Sequence, residues 1–105
     1  MNNTRLQKLL EMSQENSSDT FVQYALGMEY KGLNQNDLAE HFLLNCLQID
    51  SNYVPAYYQL ALIYQAQNKE MEAINCLNKG LSCLKNGKDQ KTKNEFQSLL
   101  DELMY

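Results

Sequence analysis

The sequence predicts an all-α fold, a helical-hairpin solenoid of about six helices, on three observations. The chain repeats itself after 34 residues: Leu26-Gly27-x-x-Tyr30 returns as Leu60-Ala61-x-x-Tyr64. The same shift superposes Tyr24 on Tyr58, Asn34 on Asn68, Ala39 on Ala73, Leu43 on Leu77, Leu47 on Leu81 and Asn52 on Asn86, eight identities in all. Ordinary residue frequencies would give about two. Apolar residues recur at helical spacing, without the alternation of a strand. Glycine and proline are scarce, four and one in 105 residues. A fixed period of this length marks units that bury their apolar faces against one another.

Taken in order, Thr4–Ser13 is the first predicted helix. Counting back by 34 places Leu9 with Leu43 and Leu77, and Met12 with Cys46 and Gly80, so residues 4–13 read as the second helix of a preceding repeat whose first helix is missing. Repeat one is Thr20–Tyr53 and repeat two Val54–Gly87, each a pair of helices. Breaks fall at Gln14–Asp19, Lys31–Asn36, Asp50–Val54, Gln67–Lys69 and Asn86–Asp89. Pro55 suits a first helical turn, where its missing N–H costs nothing. Gly87 suits the left-handed position past a helix end, and Asp89 the cap of the next helix. In residues 89–105, Phe96, Leu99, Leu100 and Leu103 follow i, i+3, i+4, i+7 spacing on a polar segment. That one-sided helix caps repeat two and turns its polar side to water; a partner-binding arm is the rival reading. Half-repeat, two repeats and cap make one domain, 1–105.

Small residues recur where helices cross closely: Gly27/Ala61, Ala39/Ala73 and Cys46/Gly80. Gly80 costs a helix about 1 kcal/mol relative to alanine, so close packing explains it better than a helix end. Period and small positions together resemble the tetratricopeptide repeat family, with its pattern W-x2-L-G-x2-Y, A-x3-F, P. Repeat one supplies Leu26, Gly27, Tyr30, Ala39 and Leu43; repeat two supplies Tyr57, Leu60, Ala61, Tyr64, Ala73 and Leu77. Gln23 stands where Trp is usual, and Ser51 and Lys85 replace the closing Pro. The chain is similar to short stand-alone tetratricopeptide proteins of bacteria.

Composition narrows the function. Nowhere do eighteen apolar residues follow one another, and the N-terminus has no signal-peptide pattern. Cys46, Cys76 and Cys83 are an odd set without CxxC spacing, expected as reduced, buried thiols of a cytoplasmic protein. With His41 the lone histidine, no metal site is expected, since zinc takes about four ligands. No P-loop, nucleophile-elbow or dinucleotide glycine pattern occurs, so no catalytic residue and no cofactor are assigned. His41 is expected as a solvated side chain. A net charge of −4 argues against general nucleic-acid or anionic-membrane binding. The cluster Lys79, Lys85, Lys88, Lys91 and Lys93 keeps phosphate contact open, but it carries no arginine and no stacking aromatic.

What the resemblance implies is protein binding. In this family the first helices of successive repeats line a concave groove for a peptide or partner helix. Carried across, the groove positions are Phe21, Tyr24, Met28 and Lys31 in repeat one, and Pro55, Tyr58, Leu62 and Gln65 in repeat two. Their 3-4-3 spacing puts each set on one side of its helix. Tyr gives rigid contact area with a polar tip and Met adapts to varied shapes. For Tyr24 and Tyr58, groove and packing between first helices both stay open. Members that clamp chaperone tails carry Lys, Asn and Arg where this chain has Tyr24, Met28, Tyr58 and Leu62, so apolar contact should dominate. The expected function is a cytoplasmic adaptor or scaffold for another protein or peptide, with self-association through groove or end face as the alternative.

Overall fold

The computed structural model describes residues 3–84 and 89–105. Among them lie six helices and no strand: α1 Thr4–Glu15, α2 Thr20–Gly32, α3 Asn36–Ile49, α4 Val54–Ala66, α5 Glu70–Cys83 and α6 Gln90–Met104. They fall into two compact units, Met1–Ser51 with α1 to α3 and Asn52–Tyr105 with α4 to α6.

Local chemistry sets the helix starts. Asn3 Oδ1 accepts from the Leu6 amide at 3.0 Å, and Asp19 Oδ1 from the Val22 amide at 3.2 Å. Each side chain satisfies one of the amides that a helix N-terminus leaves without a partner. Pro55 stands in the first turn of α4, as its sequence position suggests. Asp89 does occupy the N-cap of α6, but its carboxylate makes no capping hydrogen bond. Its carbonyl instead opens the helix by accepting from the Lys93 amide at 2.9 Å. Residues 86–88 of the last predicted break, Gly87 among them, lie outside the described residues. With Asn3 as cap, α1 runs to Glu15, two residues past the predicted end at Ser13.

The two hairpins turn in the same way. Asn34 has φ 59° and Asn68 φ 61°, the left-handed region. In the first hairpin the Gln35 amide donates to the Tyr30 carbonyl at 2.9 Å and the Asn34 amide to the Lys31 carbonyl at 3.0 Å. In the second, Lys69 donates to Tyr64 at 2.8 Å and Asn68 to Gln65 at 3.0 Å. This paired bonding is the Schellman closure of a helix, and asparagine is one of the few residues that enters its left-handed position at little cost. Asn68→Val is therefore expected to lose about 1–2 kcal/mol, whereas Asn68→Gly should hold stability. Urea titration of both variants checks this.

In the first unit, Leu9 of α1 is buried in one cluster with Val22, Ala25 and Leu26 of α2, flanked by Leu6, Leu10, Tyr30 and Phe42. The Tyr30 and Phe42 rings stack with centroids 5.5 Å apart. Gly27 lies where α2 and α3 cross: a Cβ there would sit 2.7 Å from Leu43 Cγ and 3.3 Å from the Ala39 carbonyl oxygen. Leu9 thus follows the repeat register, but Met12 does not, for it is 46% exposed. Its equivalents, Cys46 and Gly80, are buried.

In the second unit the same logic governs α5 and α6. Gly80 is buried inside α5, and a Cβ on it would overlap the Phe96 ring, with Cζ at 2.9 Å. Phe96 is 1% exposed, and Leu99 and Leu100 are buried beside it. The apolar stripe of α6 therefore covers the second unit, and the absence of a side chain at Gly80 admits the phenyl ring.

Candidate functional site

The groove positions divide between the two units, and each set occupies one side of its helix. On α2, Phe21 is 60% exposed, and Tyr24, Met28 and Lys31 are half-buried. Burial lowers the pKa of the Lys31 ammonium below its ordinary value, because a less hydrated charge is disfavoured. Val22, Ala25 and Leu26 take the buried side of the same helix. On α4, Pro55 is exposed and Tyr58, Leu62 and Gln65 are half-buried, while Ala56, Tyr57, Leu60, Ala61 and Ile63 are buried. None of the six central positions is fully buried, and none is fully open.

Tyr58 packs against α6 on one side and borders a cleft on the other. Its ring meets Phe96 at a centroid distance of 5.2 Å, tilted by 57°. It also borders a cleft of about 710 Å³, lined further by Leu99 and by Lys91, Asn94, Glu95, Ser98 and Glu102. The sequence reading preferred a cap for α6 over a partner-binding arm and named no residue of this face. The signal lay in the spacing 91, 94/95, 98, 102, a second stripe beside the Phe96 stripe.

A second concavity of about 500 Å³ belongs to the first unit, lined by Ser13, Ser17, Gln23, Phe42, Asn45, Gln48 and Ile49. Gln23 is only 3% exposed. Its Nε2 donates to Ser13 Oγ at 3.0 Å and to the Ser17 carbonyl at 3.4 Å, and its Oε1 accepts from Asn45 Nδ2 at 3.4 Å. Where the repeat pattern has Trp, an amide joins α1, the first loop and α3 by hydrogen bonds. Buried amides are tolerated when both ends are satisfied in this way.

The thiols only partly match expectation. Cys46 is buried, but Cys76 and Cys83 are half-buried, and Cys83 Sγ lies 3.5 Å from Asn52 Oδ1. Burial, helped by the Asp50 charge, pushes the Cys46 thiol up to about 11. Iodoacetamide at neutral pH should therefore modify Cys76 and Cys83 well before Cys46, since the thiolate is the nucleophile; timed mass spectrometry of the native protein reads the order. Among the described residues no three His, Cys, Asp or Glu side chains gather as a metal would require. His41 is exposed, its ring edge-on to Phe42 at 5.0 Å. Lys79, Lys91 and Lys93 are exposed, and Lys85 and Lys88 lie outside the described residues. No helix among the described residues is long and apolar enough to cross a membrane.

Known proteins agree with this architecture. A family model described as tetratricopeptide repeat matches residues 22–53 and 54–91. A Yersinia enterocolitica type III secretion chaperone, SycD, solved with a peptide of the translocator YopD, superposes with a TM-score of 0.89 at 16% identity, over 94% of this chain and 76% of that one. A tetratricopeptide repeat domain protein from Salinibacter ruber has a TM-score of 0.74 at 25% identity, over 81% of this chain and 86% of that one. Response regulator aspartate phosphatase E of Bacillus subtilis is 38% identical over 61 residues, 57% of this chain but 16% of that protein, so the chain spans about a sixth of that relative's length. The 34-residue register, the matched Asn34 and Asn68 turns and the two model matches lead to one conclusion: the chain belongs to the tetratricopeptide repeat family.

Proposed function

We propose that this protein is a non-catalytic, cytoplasmic adaptor that holds a peptide or helix of a partner protein against its first-helix faces. The observation that carries the reading is the half-buried stripe Tyr24, Met28 and Lys31 on α2, matched by Tyr58, Leu62 and Gln65 on α4. A side chain in that state has its stem fixed by packing and one surface left for a ligand. Fixed aromatic and apolar surfaces lose little freedom on binding, which favours them as anchors. Phe21 extends the α2 stripe as a large apolar side chain open to water. That the Yersinia chaperone of this fold was solved with a peptide of its translocator supports peptide binding as the kind of function. The set is mainly aromatic and apolar, so a partner segment with apolar anchors fits best.

Selection from a displayed random-peptide library, followed by titration of the winners, tests the reading. Tyr24→Ala combined with Leu62→Ala should weaken binding on the order of 2 kcal/mol, about thirtyfold. Tyr58 is spared because its ring supports Phe96. A His41→Ala control on an exposed position should bind like the parent. Peptides held equally well by the double variant, with its melting curve intact, would overturn the groove assignment.

A further inference from the structure

Gln23 is the floor of the concavity in the first unit. By the 34-residue shift it corresponds to Tyr57, and Asn45 to Lys79, so repeat one sets two amides where repeat two has a ring and a charge. A glutamine is smaller than the ring it replaces, which leaves room above it. The space is about 500 Å³, bounded by Ser13 of α1, Ser17 of the first loop, and Phe42, Asn45, Gln48 and Ile49 of α3. That size is within the range of small-ligand sites. Charged residues make up 21% of the chain, yet every described residue that borders the space is uncharged. Gln23 also faces a different side of α2 from Tyr24, Met28 and Lys31, so the concavity is separate from the first-helix stripe.

The hydrogen bonds at that floor fix which groups are spent. The Ser17 carbonyl can only accept, so the end of the Gln23 amide beside it is Nε2 and the far end is the acceptor Oε1. Oε1 in turn needs a donor, so Asn45 offers it Nδ2, which also lies 3.3 Å from His41 Nε2. Gln23 thus spans the space, donating to the serine wall and accepting from the α3 wall. What is left over has the opposite polarity. Ser13 Oγ accepts from Gln23, but among the described residues its own hydrogen has no acceptor. The Ser17 hydroxyl, Asn45 Oδ1 and the Gln48 amide likewise have no partner among the described residues. Donors remain on the serine wall and an acceptor on the wall opposite.

We propose that this concavity takes the side-chain carboxamide of an Asn or Gln on a partner protein. A carboxamide laid over Gln23 in the reverse sense accepts from Ser13 and Ser17 with its oxygen and donates to Asn45 Oδ1 with its nitrogen. A carboxylate has no hydrogen to donate, and a lone hydroxyl is too short to meet both walls. Gln23 is only 3% exposed, so the group that reaches it comes at the end of a side chain, not from a backbone amide with chain on both flanks. Phe42 and the exposed Ile49 give an apolar edge for the methylenes of that side chain. Each new hydrogen bond replaces one to water, so a single residue binds weakly and serves to select among partner segments.

Nuclear magnetic resonance titration of the isotope-labelled full chain with acetyl-leucyl-glutamine N-methylamide, to about 50 mM at neutral pH, tests this. The side-chain amide signals of Asn45 and Gln48 should shift together and saturate in the millimolar range. The glutamate and methionine versions of the peptide differ only at the head group and should bind about fivefold more weakly or worse. Free propionamide has the head group without the segment and should bind about tenfold more weakly; equal binding would make the ligand a small free amide and overturn the partner assignment. Ser17→Ala combined with Gln48→Ala removes two exposed rim groups and keeps every partner of Gln23, because Ser17 contributes its carbonyl. That variant should melt like the parent and bind about threefold more weakly. Absence of any shift by about 50 mM, a glutamate or methionine peptide held as well as the glutamine one, or a variant that binds like the parent would overturn the proposal. The Tyr24→Ala and Leu62→Ala variant should hold this peptide normally; loss of binding there would move the peptide to the first-helix stripe and overturn this site.

Discussion

Phe96→Ala should cost about 3–5 kcal/mol, the usual range for removing a fully buried phenyl ring. Its ring packs where Gly80 has no side chain and against the tilted face of Tyr58, so little nearby can collapse into the space. The companion expectation concerns Gly80. In the parent, Gly80→Ala pushes a Cβ into the ring, and overpacking of that kind costs about 1–3 kcal/mol against a helix-propensity gain of about 1 kcal/mol. In the Phe96→Ala background the overlap is gone and only the gain remains. The same substitution should thus change from destabilising to stabilising, and a double-mutant cycle by chemical denaturation reads the reversal. Additive effects would mean that the ring is not what Gly80 accommodates. Removing Asp89–Tyr105 should lower stability further and expose the surface that Phe96, Leu99 and Leu100 cover.

Gln23→Leu should cost about 1–2 kcal/mol although leucine is more apolar and similar in size. The loss is one of pairing: Ser13 Oγ, the Ser17 carbonyl and Asn45 Nδ2 each lose the almost fully buried Gln23 as a partner. Because these three groups border an open concavity, water replaces part of what is lost, leaving about the net worth of one or two hydrogen bonds. Gln23→Glu makes a useful contrast, because a carboxylate can still accept from Asn45 but cannot donate to Ser13 or Ser17. Thermal melts of both variants should show Leu and Glu destabilised alike near neutral pH. Part of the Glu loss should return as the pH falls and the acid regains a donor proton.

The helices were legible because their cause is local. Apolar spacing, Pro55 and the 34-residue register locate α2 to α5 to within a residue or two, and Gly80 announces a close contact before its partner is known. What stayed hidden depends on residues far apart in sequence. That Gln23 is held by Ser13, Ser17 and Asn45 needs three segments to meet, and single-chain spacing gives no sign of it. The exposure of Met12 shows the limit of the register itself, since equivalent positions are not buried alike. For the proposed groove stripe, the family resemblance supplied the positions and helical spacing the common side, but folding decided how far each residue sinks. Tyr58 is the clearest case: its half-burial comes from Phe96, 38 positions later in the chain.

The fit between Gly80 and Phe96 also restricts how such an array can grow. Tandem duplication lengthens repeat proteins by copying whole units, and most junctions accept the copy because each unit meets an equivalent neighbour. Here the final junction is bespoke. A copy of repeat one placed directly before α6 would set Cys46, with its Cβ and sulfur, at the position where only a bare backbone admits the ring. A viable duplication would have to fall upstream, leaving α5 and α6 together as an inherited pair. Longer descendants of this chain should therefore differ in the number of middle units while keeping glycine and phenylalanine linked at the end.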